Sequence, residues 1–377
     1  MTKKTRTIIF LICFVIFAIG GPSVILYSQG YRINLNAQDG EKIITSTGGI
    51  FIKTLPKQVD VSLNGKVVKK TDFLFGSVLI ENLLPGKYEV EVSKEGYAPW
   101  KKILAVKEKE VTEAKSIILF PAEISFGLIS ENTERVWPTL DQRIIIEKEN
   151  AEGWILNMYD PELDTETNLL REKDIYSKEV ELKDITFSTT SSEVILETEI
   201  LGKDRYFSFS LDNVKGTIEN IQNPGEVAEN HLYGNYTFQY AEEILSAKSA
   251  GFEDREIATG VKDIKLSPDG KKLLYFTQNE ISIFFLEDSI VPRKDAGEIM
   301  TLMASQDGII DCLWINSEYI AISTNGEILI AELDDRDNLQ TITLAVNKNP
   351  DMIWNDFAKR LYYNSQEGLF ASDVFLP

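Results

Sequence analysis

The sequence predicts an all-β protein carried behind a single N-terminal transmembrane helix, and three observations predict it. The first is a run without charge between Arg6 and Arg32. The second is a series of short runs alternating apolar and polar residues, punctuated by turn pairs, from Gly48 onward. The third is a loose repeat of strand, turn and strand through the last two thirds of the chain. With 377 residues, 43% hydrophobic and 26% charged, the chain is long enough for two or three domains with ordinary cores.

Residues 8–28 are 21 positions of mostly Ile, Leu, Phe and Val, long enough to span a bilayer. Lys3, Lys4 and Arg6 precede them, and the positive-inside rule then keeps the N-terminus cytoplasmic and sends the remainder across. A cleaved signal peptide has a shorter apolar core ending at a small-x-small site. Here the run continues through Pro22 to Val24, Ile25, Leu26 and Tyr27, with Tyr31 as an interfacial residue, so an uncleaved anchor is expected. Cys13 follows the bulky Ile12, which argues against lipid attachment there. The expected organisation is a cytoplasmic stub and anchor over 1–28, a juxtamembrane linker over 29–47, a small sandwich over 48–121 and a repeat domain over 122–377.

Two cysteines and one histidine leave little for zinc sites, thiol nucleophiles or Ser/His/Asp triads. Cys13 and Cys312 are expected as free thiols, and His231 is expected in a loop. Charge is unevenly spread. Residues 122–377 hold 22 basic against 48 acidic residues, a net −26, whereas residues 48–121 hold 12 against 9. Such a surface repels phosphate backbones, which excludes nucleic acid as a partner. It serves solubility, and its sharper reading is attraction of cations or basic partners.

In the first exported segment Val59, Val61 and Leu63 alternate with Asp60 and Ser62 up to Asn64-Gly65, a pair suited to the positive φ of a type I′ hairpin turn. Pro85-Gly86 makes a second turn, and runs around Trp100 and Lys115 complete six or seven strands. The run Leu84-Pro85-Gly86-Lys87-Tyr88-Glu89-Val90-Glu91-Val92, followed by Gly96-Tyr97 and Trp100, resembles the PEGA domain signature, with Gly48-Gly49-Ile50-Phe51-Ile52 as its start. That resemblance implies a small prealbumin-like sandwich of envelope proteins without a catalytic centre. Tyr97 and Trp100 are expected in its core rather than as a sugar-stacking pair.

Beyond residue 121 the clearest unit is Asp263 to Tyr275, a strand, the turn Ser267-Pro268-Asp269-Gly270 and a second strand. Taking Trp137, Phe187, Leu266, Trp314 and Trp354 as equivalent gives steps of 50, 79, 48 and 40 residues, with a degenerate unit expected near residues 236–247. Another unit reads Ile185-Thr186-Phe187-Ser188. Periods near 40 to 50 residues are those of β-propeller blades, and about six fit the length. The last unit is short, and a strand from residues 124–129 is expected to complete it. The Ser267-Pro268-Asp269-Gly270 unit resembles the TolB-type propeller repeat, which implies a periplasmic-style protein-binding or structural propeller.

The sequence holds no Gly-x-Ser-x-Gly elbow, phosphate loop or dinucleotide fingerprint. Asp160, Glu162, Asp164 and Glu166 alternate like calcium ligands but lack the loop's glycine and terminal glutamate, so a solvated hairpin is expected. No catalytic, cofactor-binding or metal residue is assigned, and no cofactor. The expected function is a membrane-anchored, non-catalytic envelope module binding protein or cell-wall glycan. The alternative is an extracytoplasmic hydrolase using carboxylates at a propeller funnel.

Overall fold

The computed structural model describes residues 3–33, 44–176, 179–187, 193–212, 214, 217–223, 229–249, 255–291, 293–345 and 351–376; Ser188 lies outside the described residues. The chain divides into two compact units, Met1–Ala122 with Arg336–Asn338, and Glu123–Asp335 with Leu339–Pro377.

The first unit begins with helix α1 (Lys3–Ser28), whose segment Thr5–Ser28 is long and apolar enough to cross a membrane. Strands β1 (Tyr31–Ile33) and β2 (Ile44–Ser46) pair antiparallel after it, inside the span expected as a linker. Arg32 ties helix, hairpin and sandwich together. Its guanidinium lies 3.6 Å over the Tyr27 ring, donates to the Tyr27 and Tyr31 carbonyls and reaches Asn82 Oδ1 at 2.6 Å.

The sandwich follows with β3 (Gly48–Leu55), β4 (Asp60–Leu63), β5 (Lys66–Lys70), β6 (Ser77–Leu83), β7 (Gly86–Ser93), β8 (Trp100–Val106) and β9 (Val111–Ile118). One sheet runs β6-β3-β9, with β3 and β9 parallel, and the other β5-β4-β7-β8. Their facing residues, among them Ile50, Ile52, Val61, Val90, Val92, Trp100 and Leu104, form one buried core, so Trp100 is a core residue as expected. Each such side chain contributes about 1.5 to 3 kcal/mol by burial.

Asn64 and Gly65 take φ of 49° and 74°, the turn their identity predicts. A Cβ at Gly65 would meet nothing within 4 Å, so only the backbone resists substitution there. Gly65→Val is expected to destabilise the sandwich by about 1 to 2 kcal/mol. Exposed Lys66→Ala should stay within about 0.5 kcal/mol. Thermal melts of the full chain in detergent compare the two, and identical sandwich transitions would rule out a strained turn.

The second unit opens with β10 (Phe126–Glu131). Among the described residues six four-stranded sheets make up this unit, one of which includes β10. The first is β11 (Thr133–Pro138), β12 (Ile144–Asn150), β13 (Gly153–Asp160) and β14 (Thr165–Arg171), after which comes the short α2 (Glu172–Ile175). The second is β15 (Glu181–Phe187), β16 (Glu193–Ile200), β17 (Lys203–Ser210) and β18 (Glu219–Ile221). The third, β19 (Glu229–Tyr233), β20 (Tyr236–Ala241), β21 (Ile244–Ser249) and β22 (Arg255–Thr259), is the degenerate unit expected from the doubled spacing. His231 lies in strand β19, not in a loop: the short polar run around it pairs residue by residue with β20.

The fourth sheet is β23 (Asp263–Leu266), β24 (Lys272–Phe276) and β25 (Glu280–Phe285), then a ribbon of β26 (Ser289–Ile290) and β27 (Arg293–Lys294), then β28 (Ile299–Ala304) as outer strand. The fifth is β29 (Ile309–Asn316), β30 (Tyr319–Thr324), β31 (Ile328–Glu332) and β32 (Thr341–Ala345). The sixth has β33 (Asp351–Asn355), β34 (Arg360–Ser365) and β35 (Gly368–Ser372), and its fourth strand is β10 from the start of the unit. This closes the ring by antiparallel pairing of the two ends of the unit, the arrangement expected for residues 124–129. Trp137, Phe187, Leu266, Trp314 and Trp354 all lie on the first strand of their sheets.

Candidate functional site

At two seams, between the first and second and between the fourth and fifth blades, the first strands of neighbouring blades bond to one another. Arg135 on β11 donates to the Leu182 carbonyl at 2.7 Å and pairs with buried Glu147 at 2.6 Å, while Trp137 Nε1 donates to Asp184 Oδ1. Trp314 Nε1 donates to the Lys265 carbonyl at 2.9 Å. Lys265 in turn reaches Asp311 at 2.6 Å, Asp263 at 3.3 Å and the Cys312 carbonyl at 2.7 Å. Burial alone would lower the pKa of this ammonium, but the Asp311 and Asp263 carboxylates outweigh it and hold it above the ordinary lysine value. Asp351 opens β33, and burial, then the charge of Asp311, push its carboxyl above the usual aspartate value.

A cavity of about 770 Å³ opens where the ring closes, between the sixth and first blades. Among the described residues its wall carries Glu134, Glu149 and Asp351 and no lysine or arginine. Asn364, 7% exposed, gives Nδ2 to the Glu134 carbonyl at 2.9 Å, and its Oδ1 has no hydrogen-bond donor among the described residues. A second cavity, about 860 Å³, shares Glu134, Glu149 and Asn150 with the first and continues between the first and second blades, past Glu152, Glu179 and Glu181.

On the sandwich, the loop between β5 and β6 holds Phe73, Leu74 and Phe75 outward at 67%, 57% and 70% exposure. Asp72 organises it. Its carboxylate accepts the backbone N–H groups of Phe75 at 2.6 Å, Ser77 at 2.9 Å and Leu74 at 2.8 Å, and those of Phe75 and Ser77 foremost hold its pKa down to about 2. The Lys57 ammonium closes over the loop by donating to the Leu74 carbonyl. The exposed triplet is therefore the product of a well-bonded turn. Sequence reading missed it, because three adjacent apolar residues without period look like core.

Several residues singled out in the sequence have structural roles. Asp160 Oδ1 accepts the N–H groups of Glu162 and Leu163, Tyr159 donates to Asp164, and Glu166 pairs with Lys148 at 2.6 Å. This is a hairpin turn, and among the described residues no three His, Cys, Asp or Glu side chains converge to hold a metal ion. In the fourth blade the Ser267 hydroxyl donates to Asp269 and accepts the Lys272 N–H, which fixes the turn chemically. Cys312 is buried and unbridged, and burial pushes its thiol well above the ordinary value.

Residues 47–117 match the PEGA domain. The PEGA match spans the sandwich and leaves helix and propeller outside it. Among solved structures the chain is similar to Hsv2 of Kluyveromyces lactis, at 12% identity and a TM-score of 0.33, covering 63% of this chain and 72% of that one. It is also similar to the Cps50 (Swd1) β-propeller domain of Myceliophteria thermophila, at 13% identity and a TM-score of 0.40, covering 66% and 99%. No curated protein matches the chain. The propeller architecture itself rests on the six sheets and their closing strand. PEGA and propeller domains together suggest a binding or structural module.

Proposed function

We propose that the protein is a membrane-anchored, extracytoplasmic binding module of the cell envelope, its helix the tether and its PEGA sandwich and propeller the parts that present contact surfaces. The observation that carries this reading is the Phe73-Leu74-Phe75 tip. Exposing three large apolar side chains side by side costs solubility, and a loop that is hydrogen-bonded to do so marks a contact surface. An apolar tip suits a protein partner better than a cell-wall glycan, whose hydroxyls need polar groups around any stacking ring. The basic residues Lys3, Lys4 and Arg6 at the start of α1 support an N-terminus in the cytoplasm, and the TolB-like turn of the fourth blade supports a periplasmic-style setting.

The test is site-specific photocrosslinking in intact cells, with a photoreactive residue at Leu74 or at Glu219 of the propeller's second blade. Adducts with another envelope protein from Leu74 and none from Glu219 are expected. Equal labelling from both positions, or none from Leu74, would overturn the reading.

A second reading, a hydrolase acting through carboxylates at the funnel, draws on Asp351, whose carboxyl is pushed up as a general acid requires. Its neighbour Asp311 is held by the Lys265 ammonium, which supports a structural role for that acid rather than service as a free base.

A further inference from the structure

The closure pocket has the wrong composition for most ligands and the right one for a cation. Glu134, Glu149 and Asp351 stand on its wall without an ion-pair partner of their own among the described residues. The Asn364 amide is oriented by its Nδ2 bond to the Glu134 carbonyl, so its Oδ1 stands as an acceptor that the fold supplies with no donor. A buried acceptor of this kind is expected to be satisfied by something, and the described residues of the wall include no positively charged donor. A bare metal ion does not suit, since the described carboxylates do not converge in threes. A planar guanidinium or an ammonium on a long stem does, because it brings several donors and needs no tight cage. No aromatic side chain lines this pocket to stack a sugar ring.

We propose that the pocket between Asp351, Glu134 and Asn364 receives a lysine or arginine side chain from a basic segment of a partner protein. The neighbouring cavity is not part of this site, since Arg135 and Lys173 line it and its Glu152 and Glu181 are paired with Lys173 and Lys183. This assignment rests on the binding-module reading and names the chemistry of one partner surface. It also gives a local use to part of the acidity of residues 122–377. The raised carboxyl of Asp351 fits such a site, because its ionised form is crowded until a cation arrives.

The experiment uses the full chain in detergent and fluorescein-labelled oligolysine and oligoarginine peptides, read by anisotropy at about 0.15 M salt so that long-range attraction is screened. Asp351→Asn with Glu134→Gln is compared with Glu219→Gln and Glu256→Gln, two exposed acids on the outer strands β18 and β22. Both pairs remove the same charge. The pocket pair is expected to weaken peptide binding at least tenfold with its melting temperature unchanged or raised, and the outer pair less than twofold. Equal weakening by the two pairs would show a general field effect and overturn the site. Absence of binding by the unmodified protein would overturn it too. Either result leaves the Leu74 crosslinks to decide the binding-module reading on their own.

Discussion

Replacing Gly368 with valine is expected to lower the stability of the propeller by about 4 kcal/mol, a large share of the 5 to 15 kcal/mol typical of a domain. Gly368 opens β35 at φ 138°, a backbone region that side chains resist. A Cβ there would sit 2.1 Å from the Ser130 carbonyl oxygen and 3.1 Å from Glu131 Cα. Both belong to β10, the strand that closes the ring, so relief of the clash moves the closing strand away from its partner. Gly127→Val on the same strand is the control. Gly127 faces Ala371 with open space around its Cα, and a β-branched residue suits an extended edge position. Urea denaturation of the full chain should show the midpoint of the propeller transition fall for Gly368→Val and hold for Gly127→Val. Equal midpoints would mean that β10 does not carry the closure.

What was legible in the sequence was local chemistry. Asn64-Gly65 and Ser267-Pro268-Asp269-Gly270 announce turns because the φ values and side-chain bonds involved lie within a few residues. The closing strand was legible from arithmetic, since a last unit that is too short must borrow. The tryptophans on first strands marked the blades because each one packs or bonds toward the ring centre at a similar place in its unit. The seams were not legible. Arg135 meets Leu182 and Lys265 meets Asp311 across 47 and 46 positions, and nothing in an acidic, lysine-dotted stretch says which charges will face each other. The closure pocket joins residues as distant as Glu134 and Asn364, 230 positions apart, for the same reason. His231 was misplaced because a polar strand lacks the alternation that marks a half-buried one.

Lys265→Met is expected to cost about 2 kcal/mol at neutral pH and to do so in a pH-dependent way that identifies its cause. The ammonium sits on the inner wall between Asp263 and Asp311, with its side chain 30% exposed, so the cost of about 3 to 5 kcal/mol typical of a broken buried pair is reduced by solvent. Methionine keeps the stem's packing near Phe276 but leaves the Asp263 and Asp311 carboxylates without their common counter-charge. In the unmodified protein the lysine's folded pKa is raised, so its contribution is complete below the ordinary lysine value of 10.5 and is lost only as alkaline pH passes the raised one. Between about pH 5 and 8 the wild-type contribution is therefore flat. The deficit of the variant should therefore hold across neutral pH and shrink only as alkaline pH passes the raised lysine value and the unmodified protein loses its ammonium. Adding Asp311→Asn to Lys265→Met should recover part of the loss at pH 7, since the two groups are one interaction. Urea midpoints of the full chain at several pH values measure this. A deficit that Asp311→Asn leaves unrelieved and that persists unchanged at alkaline pH would assign Lys265 to packing alone and remove the charge balance of the inner wall from the account of the fold.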